Sequence, residues 1–547
     1  MKKIFLYCLP FCLLFASCSD LLDEESYSET GKGNYLNNAK EAETVLQGVY
    51  KNLANEYTYS YHLSLLFTIS TDIAQCEGSS TTSFREIPTN SHNASTSQIS
   101  RTWQQLYSAI YDANDFIETV SDRMDGWGSS DRELAAIYLG EARALRALFY
   151  FELVRWYGNV VLMTSTADSR KKDEDYEQSA AEDVYAYIEE DLKYAAEVLP
   201  WAVDDTKRTS NAYRFSKGAA LGLLAKVYCT WAGYPVRDES KWAEAEKVAR
   251  RVVESGKHRL ISDYETVWKN TCNGIWDAGE SLIEVSFYSP TGLDSNNTAG
   301  RIGKWNGVSA TTIDGERGRN AANWKVVYTF TRDWEAQNDP RRKLAIADYK
   351  YDHTLGSGPI TYFSTISSAN PSEDQKNPQR QLFTPGKWDT EKYVETSNYI
   401  VNNDKSNVNW YILRYSDVLL LFAEALNESG GSIVDAVDAV NAVRRRGFGD
   451  TKHDLSYGLS REDLREAIRK ERAYELCFEG HRKQDLIRWG IYYDRVMETA
   501  QELVNWYSNA NYAVARYIIK GRHELLPIPQ RDLDMMPKCK QNSGWGQ

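Results

Sequence analysis

Aromatic side chains in loops, rather than catalytic groups, carry most of the chemistry that this sequence offers. The chain contains 16 Trp, 36 Tyr and 16 Phe, and its helical segments need most of these rings for packing. A ring flanked by amides, carboxylates or arginine can stack on the C–H face of a sugar while its neighbours bond the hydroxyl edge. The loop rings are Phe84, Tyr288, Trp305 and Trp324, with weaker candidates at Trp127, Trp276 and Tyr362.

Enzyme signatures are weak by comparison. The sequence has no His-Glu-x-x-His zinc pattern, no Gly-x-Ser-x-Gly elbow and no phosphate-binding Gly-rich loop. The chain has 77 acidic residues, enough to include the pair of catalytic carboxylates that a glycosidase uses, so a glycosidase stays an alternative. The cysteines that follow Cys18 are odd in number and form no Cys-x-x-Cys pair, which disfavours a disulfide scaffold or a zinc ribbon. A formal net charge of −13 argues against nucleic acid as a partner.

The N-terminus has the layout of a lipoprotein signal. Two lysines precede an apolar run (4–16) that is too short to span a bilayer and ends at small residues before Cys18. We therefore expect residues 1–17 to be a signal peptide and Cys18 to be lipidated. The acidic segment 18–30 is expected to be a tether, either simply solvated or a sorting signal for the outer face of the outer membrane.

Helical periodicity dominates the rest of the chain. Ser130 with Glu133 and Ser179 with Glu182 fit capping boxes, and Gly447 is expected to close the helix that it follows. Several segments come as close pairs joined by short turns, which predicts a mainly α fold of stacked tetratricopeptide-like helix pairs. The predicted helices are 132–157, 183–199, 216–231, 242–254, 415–428, 433–446 and 462–478.

An irregular region interrupts this rhythm. Residues 288–409 are rich in Gly, Asn, Ser and Thr clusters, and long loops on a rigid body are often functional. We expect a single body over 31–547, with a helical scaffold at about 31–287 and 410–547. The loop-rich insertion between them is expected to form a ligand-binding face.

Ordered motifs link the whole chain to a known family. The segment 141–158, EARALRALFYFELVRWYG, resembles the SusD/RagB family of nutrient-binding outer-membrane lipoproteins. The remaining similar motifs, in family order, are DLKYAAEVLP (191–200), SKGAALGLLAKVY (216–228), DVLLLFAEALN (417–427), ERAYELCFEG (471–480), DLIRW (485–489), LLPIP (525–529) and QN (541–542). The charged residues within these motifs alternate with apolar helix positions, so we expect buried ion pairs between helices rather than a catalytic site.

The resemblance implies a role as well as a fold. It implies a lipid-anchored protein on the exterior face of the outer membrane that binds a glycan without catalysis. The glycan would pass to a TonB-dependent, SusC-like outer-membrane barrel. The resemblance implies no cofactor, and it leaves open whether the protein binds a structural calcium ion. A peptide-capturing protein of the same fold is the main alternative, and a surface glycoside hydrolase is the lesser one.

In this family, glycan contacts tend to come from the loop before an early Trp-x-x-x-Tyr helix and from the irregular insertion. These regions correspond here to residues 76–97 and 288–324. Trp305 is the strongest candidate, because its polar, Gly-rich neighbours offer few apolar partners nearby in sequence. The candidate ligand-binding residues are Phe84, Arg85, Asn90 and His92 in the first region, and Tyr288, Trp305, Asn306, Arg317, Asn323 and Trp324 in the second.

Overall fold

The computed structural model describes residues 36–289, 299–313, 315–355, 359–363 and 378–546. The predicted signal peptide (1–17), the lipidation site Cys18 and the tether (18–30) lie outside the described residues. No helix within the described residues combines the length and the apolar character needed to cross a membrane.

Helices form most of the described body, which confirms the predicted mainly α fold. They are α1 (Ala39–Lys51), α2 (Ser97–Arg123), α3 (Ser129–Tyr157), α4 (Ala181–Val198), α5 (Lys217–Trp231), α6 (Lys241–Val253), α7 (Tyr264–Cys272), α8 (Tyr328–Glu335), α9 (Arg341–Ala345), α10 (Thr390–Tyr393), α11 (Tyr415–Ser429), α12 (Ile433–Phe448), α13 (Arg461–Glu475), α14 (Arg482–Arg488), α15 (Tyr492–Trp506) and α16 (Gln530–Met535).

The long helices stack one on the next. Helix α3 packs between α2 and α4, α5 packs between α4 and α6, and α6 packs against α11, which also contacts α12. Helices α5 and α11 are buried along almost their whole length, because other helices cover them on every side. This explains why their sequences are apolar all round rather than striped.

Some predicted helix ends are wrong. Gly128 and Ala180, and not Ser130 or Ser179, occupy the N-cap positions of α3 and α4, and neither cap involves a side-chain hydrogen bond. Helix α12 continues through Gly447 and ends at Gly449, whose φ of 78° is the left-handed conformation that glycine adopts without strain. The start of α12 is capped by Ser432, whose side chain accepts a hydrogen bond from the Asp435 N–H.

Short antiparallel strand pairs tie the loop-rich region to the helices. The first pair joins β1 (Ala74–Cys76) to β3 (Trp324–Val326), and the second joins β2 (Ser281–Val285) to β8 (Trp410–Arg414). The β2–β8 pair brings both ends of the intervening segment together, and the β1–β3 pair places the loop after β1 beside that segment. Smaller pairs join β4 (Ile346–Ala347) to β7 (Thr384–Pro385) and β5 (Tyr349–Tyr351) to β6 (Ile360–Tyr362).

Buried ion pairs hold the C-terminal helices to this framework. The guanidinium of Arg414 is fully buried and pairs with Glu280, Glu475 and Glu479 at 3.1, 2.5 and 2.7 Å. Facing positive charges keep the pKa of Glu475 low despite its burial. The family motif 471–480 therefore serves the packing of helices, as expected, and its carboxylates are occupied by arginine and lysine.

Candidate functional site

Two loops that are distant in sequence meet at a cluster of aromatic rings. The centroid of Trp305 lies 4.9 Å from that of Phe84 in an edge-to-face arrangement, and 4.9 Å from that of Tyr61. The rings of Phe84 and Trp305 are both partly exposed, whereas Tyr61 is buried beneath them. The two regions predicted from the sequence therefore converge at this point.

The ring contacts continue from Tyr61 through His62 to Tyr57. His62 lies 5.4 Å from Tyr61 and 5.3 Å from Tyr57 between ring centroids, and Tyr57 is again partly exposed. We call this area the ring surface: the partly exposed rings of Tyr57, Phe84 and Trp305, supported by the buried rings of Tyr61 and His62.

Backbone pairing fixes the position of Trp305. The Trp305 carbonyl accepts a hydrogen bond from the Trp324 N–H at 3.0 Å, and β3 in turn pairs with β1. Gly307 allows this turn to pack closely, since an added Cβ would lie only 2.3 and 2.4 Å from the carbonyl oxygens of Gly303 and Trp388. The loop that carries Trp305 is thus held by main-chain contacts, although its sequence is polar and Gly-rich.

Polar groups fix the indole and surround it. Trp305 Nε1 donates to Asp404 Oδ1 at 2.6 Å, and the same carboxylate pairs with Arg301 at 3.0 Å. The Arg301 guanidinium lies 4.5 Å from the Tyr61 centroid and 5.1 Å from the Trp305 centroid, and it also pairs with Glu56 at 2.7 Å. The central part of the ring surface is therefore preorganised before any ligand arrives.

The buried histidine below the rings is neutral at physiological pH. Burial, followed by the charges of Arg301 and Arg101, lowers the pKa of His62 to about 3. Its Nδ1 lies 2.8 Å from the Thr102 hydroxyl. His62 thus supports the rings as an uncharged packing residue.

The structure gathers three of the predicted residues at the ring surface. Phe84 and Trp305 form its rings, and the Arg85 guanidinium lies 4.4 Å from the Phe84 centroid. Asn323 is partly exposed beside Trp324, and its carbonyl accepts a hydrogen bond from Glu77 N–H at 2.7 Å. Trp305 has few apolar partners nearby in sequence, but Tyr61 and Phe84 reach it from other segments.

Four other candidates are buried, so the expectation that they present an exposed surface is wrong. Trp324 is 4% exposed within β3, Asn306 is fully buried, and Asn90 and His92 are each 2% exposed. Asn306 Oδ1 accepts from the Gly303 N–H at 2.7 Å, and Asn90 Nδ2 donates to the Val514 carbonyl at 3.0 Å. These amides stabilise loops, and His92 packs against the C-terminal segment through Trp545.

The two remaining candidates lie in other parts of the chain, one inside the insertion and one just after β2. Arg317 pairs with Glu391 at 2.6 Å and lies 4.9 Å from the ring centroid of Tyr399. Tyr288 is 69% exposed and follows β2, next to Ser289, whose N–H donates to Asn407 Oδ1 at 2.9 Å. Arg317 therefore belongs to a separate polar cluster inside the insertion.

Sequence reasoning missed Tyr57, Tyr61, Arg101, Arg301 and Asp404. The run of alternating tyrosines at 57, 59 and 61 is a visible signal, but it does not separate the roles of these rings. Tyr59 is buried against Glu152 instead of joining the ring surface. Among the described residues, no group of three or more His, Cys, Asp or Glu side chains is placed to hold a metal ion.

Comparison with known proteins adds family relationships to this geometry. A family model described as the SusD family matches residues 279–545, and a second, described as starch-binding and associating with the outer membrane, matches residues 20–229. The crystal structure of a SusD homologue from Bacteroides thetaiotaomicron is 54% identical, with a TM-score of 0.90, and the match covers 95% of this chain and 100% of that one.

More distant relatives extend the same pattern. A SusD-like protein of Bacteroides ovatus is 25% identical over 530 residues, which covers 93% of this chain and 85% of that one. A solved laminarin-binding SusD-like protein shares the fold with a TM-score of 0.68 at 23% identity, covering 93% of this chain and 100% of that one.

Proposed function

We propose that this chain, which belongs to the SusD/RagB family, is a cell-surface lipoprotein that binds an oligosaccharide or polysaccharide at the ring surface without catalysis. The bound glycan is delivered to a partner TonB-dependent outer-membrane transporter of the SusC-like kind. The protein is anchored by lipid on Cys18 and faces the cell exterior. Family membership and the outer-membrane description of the matching family model support this proposal.

The observation that carries the proposal is the ring surface itself. Tyr57, Phe84 and Trp305 present partly exposed aromatic faces, and Asp404 and Arg301 lock the indole beside polar atoms that can bond hydroxyl groups. Stacking on a sugar face together with hydrogen bonds at its edge is the recognition that such a surface supplies. The rings are only partly exposed and their surroundings are polar, so each site is expected to bind weakly enough to release its ligand.

The proposal is tested by calorimetric titration of the purified protein against plant, host and microbial polysaccharides and against a peptide digest. We expect binding to one glycan class and a loss of at least about tenfold in affinity in Trp305→Ala, because a central aromatic anchor is removed. Trp242→Ala is the matched control, since Trp242 on α6 is also partly exposed but contacts none of the rings. This variant should bind as the unmodified protein does.

Other outcomes would replace the proposal. Binding confined to peptides would assign peptide capture to the same surface, and shortening of any glycan during incubation would indicate a hydrolase. Equal losses of affinity in the Trp305 and Trp242 variants would show that the ring surface is not the binding site. Co-purification of a TonB-dependent barrel with the tagged protein from outer membranes tests the partnership separately.

A further inference from the structure

One end of the ring surface carries an arginine that has no carboxylate partner among the described residues. The guanidinium of Arg85 stacks on Phe84, and its Nε donates to the Glu77 carbonyl at 2.8 Å. The nearby acidic side chains are engaged elsewhere, since Glu77 pairs with Lys325 at 3.5 Å and Glu86 accepts from Thr96 Oγ1 at 2.7 Å. The outer nitrogens of Arg85 thus remain open to a ligand.

The opposite end has the same arrangement. Arg101 is exposed on the second turn of α2, its guanidinium lies 5.4 Å from the Tyr57 centroid, and its Nη1 donates to the Tyr57 hydroxyl at 3.0 Å. Within the described part of the chain, Arg101 forms no ion pair with a carboxylate either.

Between these ends the one arginine is paired with carboxylates. The ring contacts run without interruption from Phe84 to Tyr57, with centroid separations between 4.9 and 5.4 Å. Arg301 lies over the middle of this run and pairs with both Glu56 and Asp404, which together leave one negative charge there. The ring surface therefore has, at each end, an arginine that forms no ion pair within the described residues, on a protein whose formal net charge is −13.

This charge arrangement points to the class of ligand. A guanidinium can donate to the hydroxyls of a neutral glycan, but a carboxylate or a sulfate ester accepts two parallel, charge-assisted N–H bonds from it, and these bonds are stronger. We infer that the ligand of the ring surface is an anionic glycan, carrying uronate or sulfate groups that pair with Arg85 and Arg101. This inference rests on the proposed function, because it assumes that the ring surface binds sugar.

The test is an array of oligosaccharides of matched length, probed with the purified protein: neutral β-glucans, oligogalacturonates and sulfated galactans. We expect anionic members to bind at least about tenfold more tightly than neutral ones at low salt, with an affinity that falls as NaCl is added. Arg85→Gln and Arg101→Gln should each weaken anionic binding about tenfold, since a charge-assisted hydrogen bond is lost. Arg132→Gln is the control, because Arg132 is exposed on α3 and also lacks a carboxylate partner in the described chain.

Each result is decisive. Tighter binding of the oligogalacturonates or of the sulfated galactans than of the neutral β-glucans supports the inference and identifies the anion. Binding of neutral glucans as tightly as anionic ones would overturn the inference and leave the proposed glycan binding intact. An equal loss in the Arg132 variant would also overturn it, as the attraction would then be non-specific. Absence of binding to every member of the array would count against the proposed function itself.

Discussion

Replacing Lys483 by methionine should stabilise the protein, because its ammonium group is buried on α14 with no carboxylate partner among the described residues. The side chain is 1% exposed, and its Nζ lies 5.4 and 5.7 Å from the ring centroids of Tyr492 and Trp156. Burial lowers the pKa of Lys483 to about 7, far below the 10.5 of an ordinary lysine.

The sign and size of the effect follow from proton linkage. Between pH 10.5 and pH 7 the unfolded chain takes up a proton at Lys483 that the folded protein does not bind. As the pH is lowered through this window, the free energy of unfolding falls by about 1.4 kcal/mol per pH unit, which amounts to a penalty of about 4 kcal/mol at pH 7 and about 5 kcal/mol well below it. Methionine forfeits two ring contacts of about 1 kcal/mol at most, which leaves a net gain of about 2 kcal/mol at pH 7.

The assay is urea unfolding of the two proteins at pH 7 and at pH 9.5, followed by tryptophan fluorescence. The advantage of Lys483→Met should be present at pH 7 and should largely disappear at pH 9.5. Lys247→Met, at an exposed position on α6, is the control and should change stability by less than about 0.5 kcal/mol. A destabilised Lys483 variant, or the same advantage at both pH values, would refute the reasoning.

Four further predictions concern the framework and the site. Burial raises the pKa of Glu284 to about 7, so its ionisation destabilises the fold progressively from pH 4.5 to 7. Glu284→Gln should therefore gain about 3 kcal/mol at pH 8 and nothing at pH 4 in urea titrations. Arg414→Met should lose at least about 3 kcal/mol by the same method, because three buried carboxylates each lose one of their cationic partners. Gly307→Ala should lower the melting temperature in calorimetry, because its Cβ would collide with two carbonyl oxygens. Asp404→Ala should weaken glycan binding about threefold to tenfold in calorimetric titration, since the Trp305 indole loses its acceptor.

The local sequence was sufficient to predict where the helices form, but not where all of them begin and end. The apolar run of α5 begins after Ser216, whose side chain caps the helix, and both features are visible within a few residues. The start of α3 was misplaced because Gly128 caps it without a side-chain bond. Capping signals compete within one turn, and only tertiary packing decides among them.

The site was harder to predict from the sequence, because the burial of a side chain depends on partners from distant segments. Trp305 and Trp324 both stand between polar neighbours, yet β3 pairs with β1 and buries Trp324 while Trp305 keeps a partly exposed face. His92 is buried by Trp545, which lies more than four hundred residues later in the chain. Loop composition indicates where a site lies, and long-range packing determines which of its side chains remain accessible.

The most direct test of the central claim is a crystal structure of the protein with the oligosaccharide that binds it most tightly. The account predicts a sugar ring stacked on the exposed face of Trp305 or Phe84, with polar atoms of the ring surface bonded to its hydroxyl groups. A sugar bound elsewhere, for example in the groove of about 1000 Å³ lined by Tyr474 and Trp489, with the ring surface left unoccupied, would contradict it.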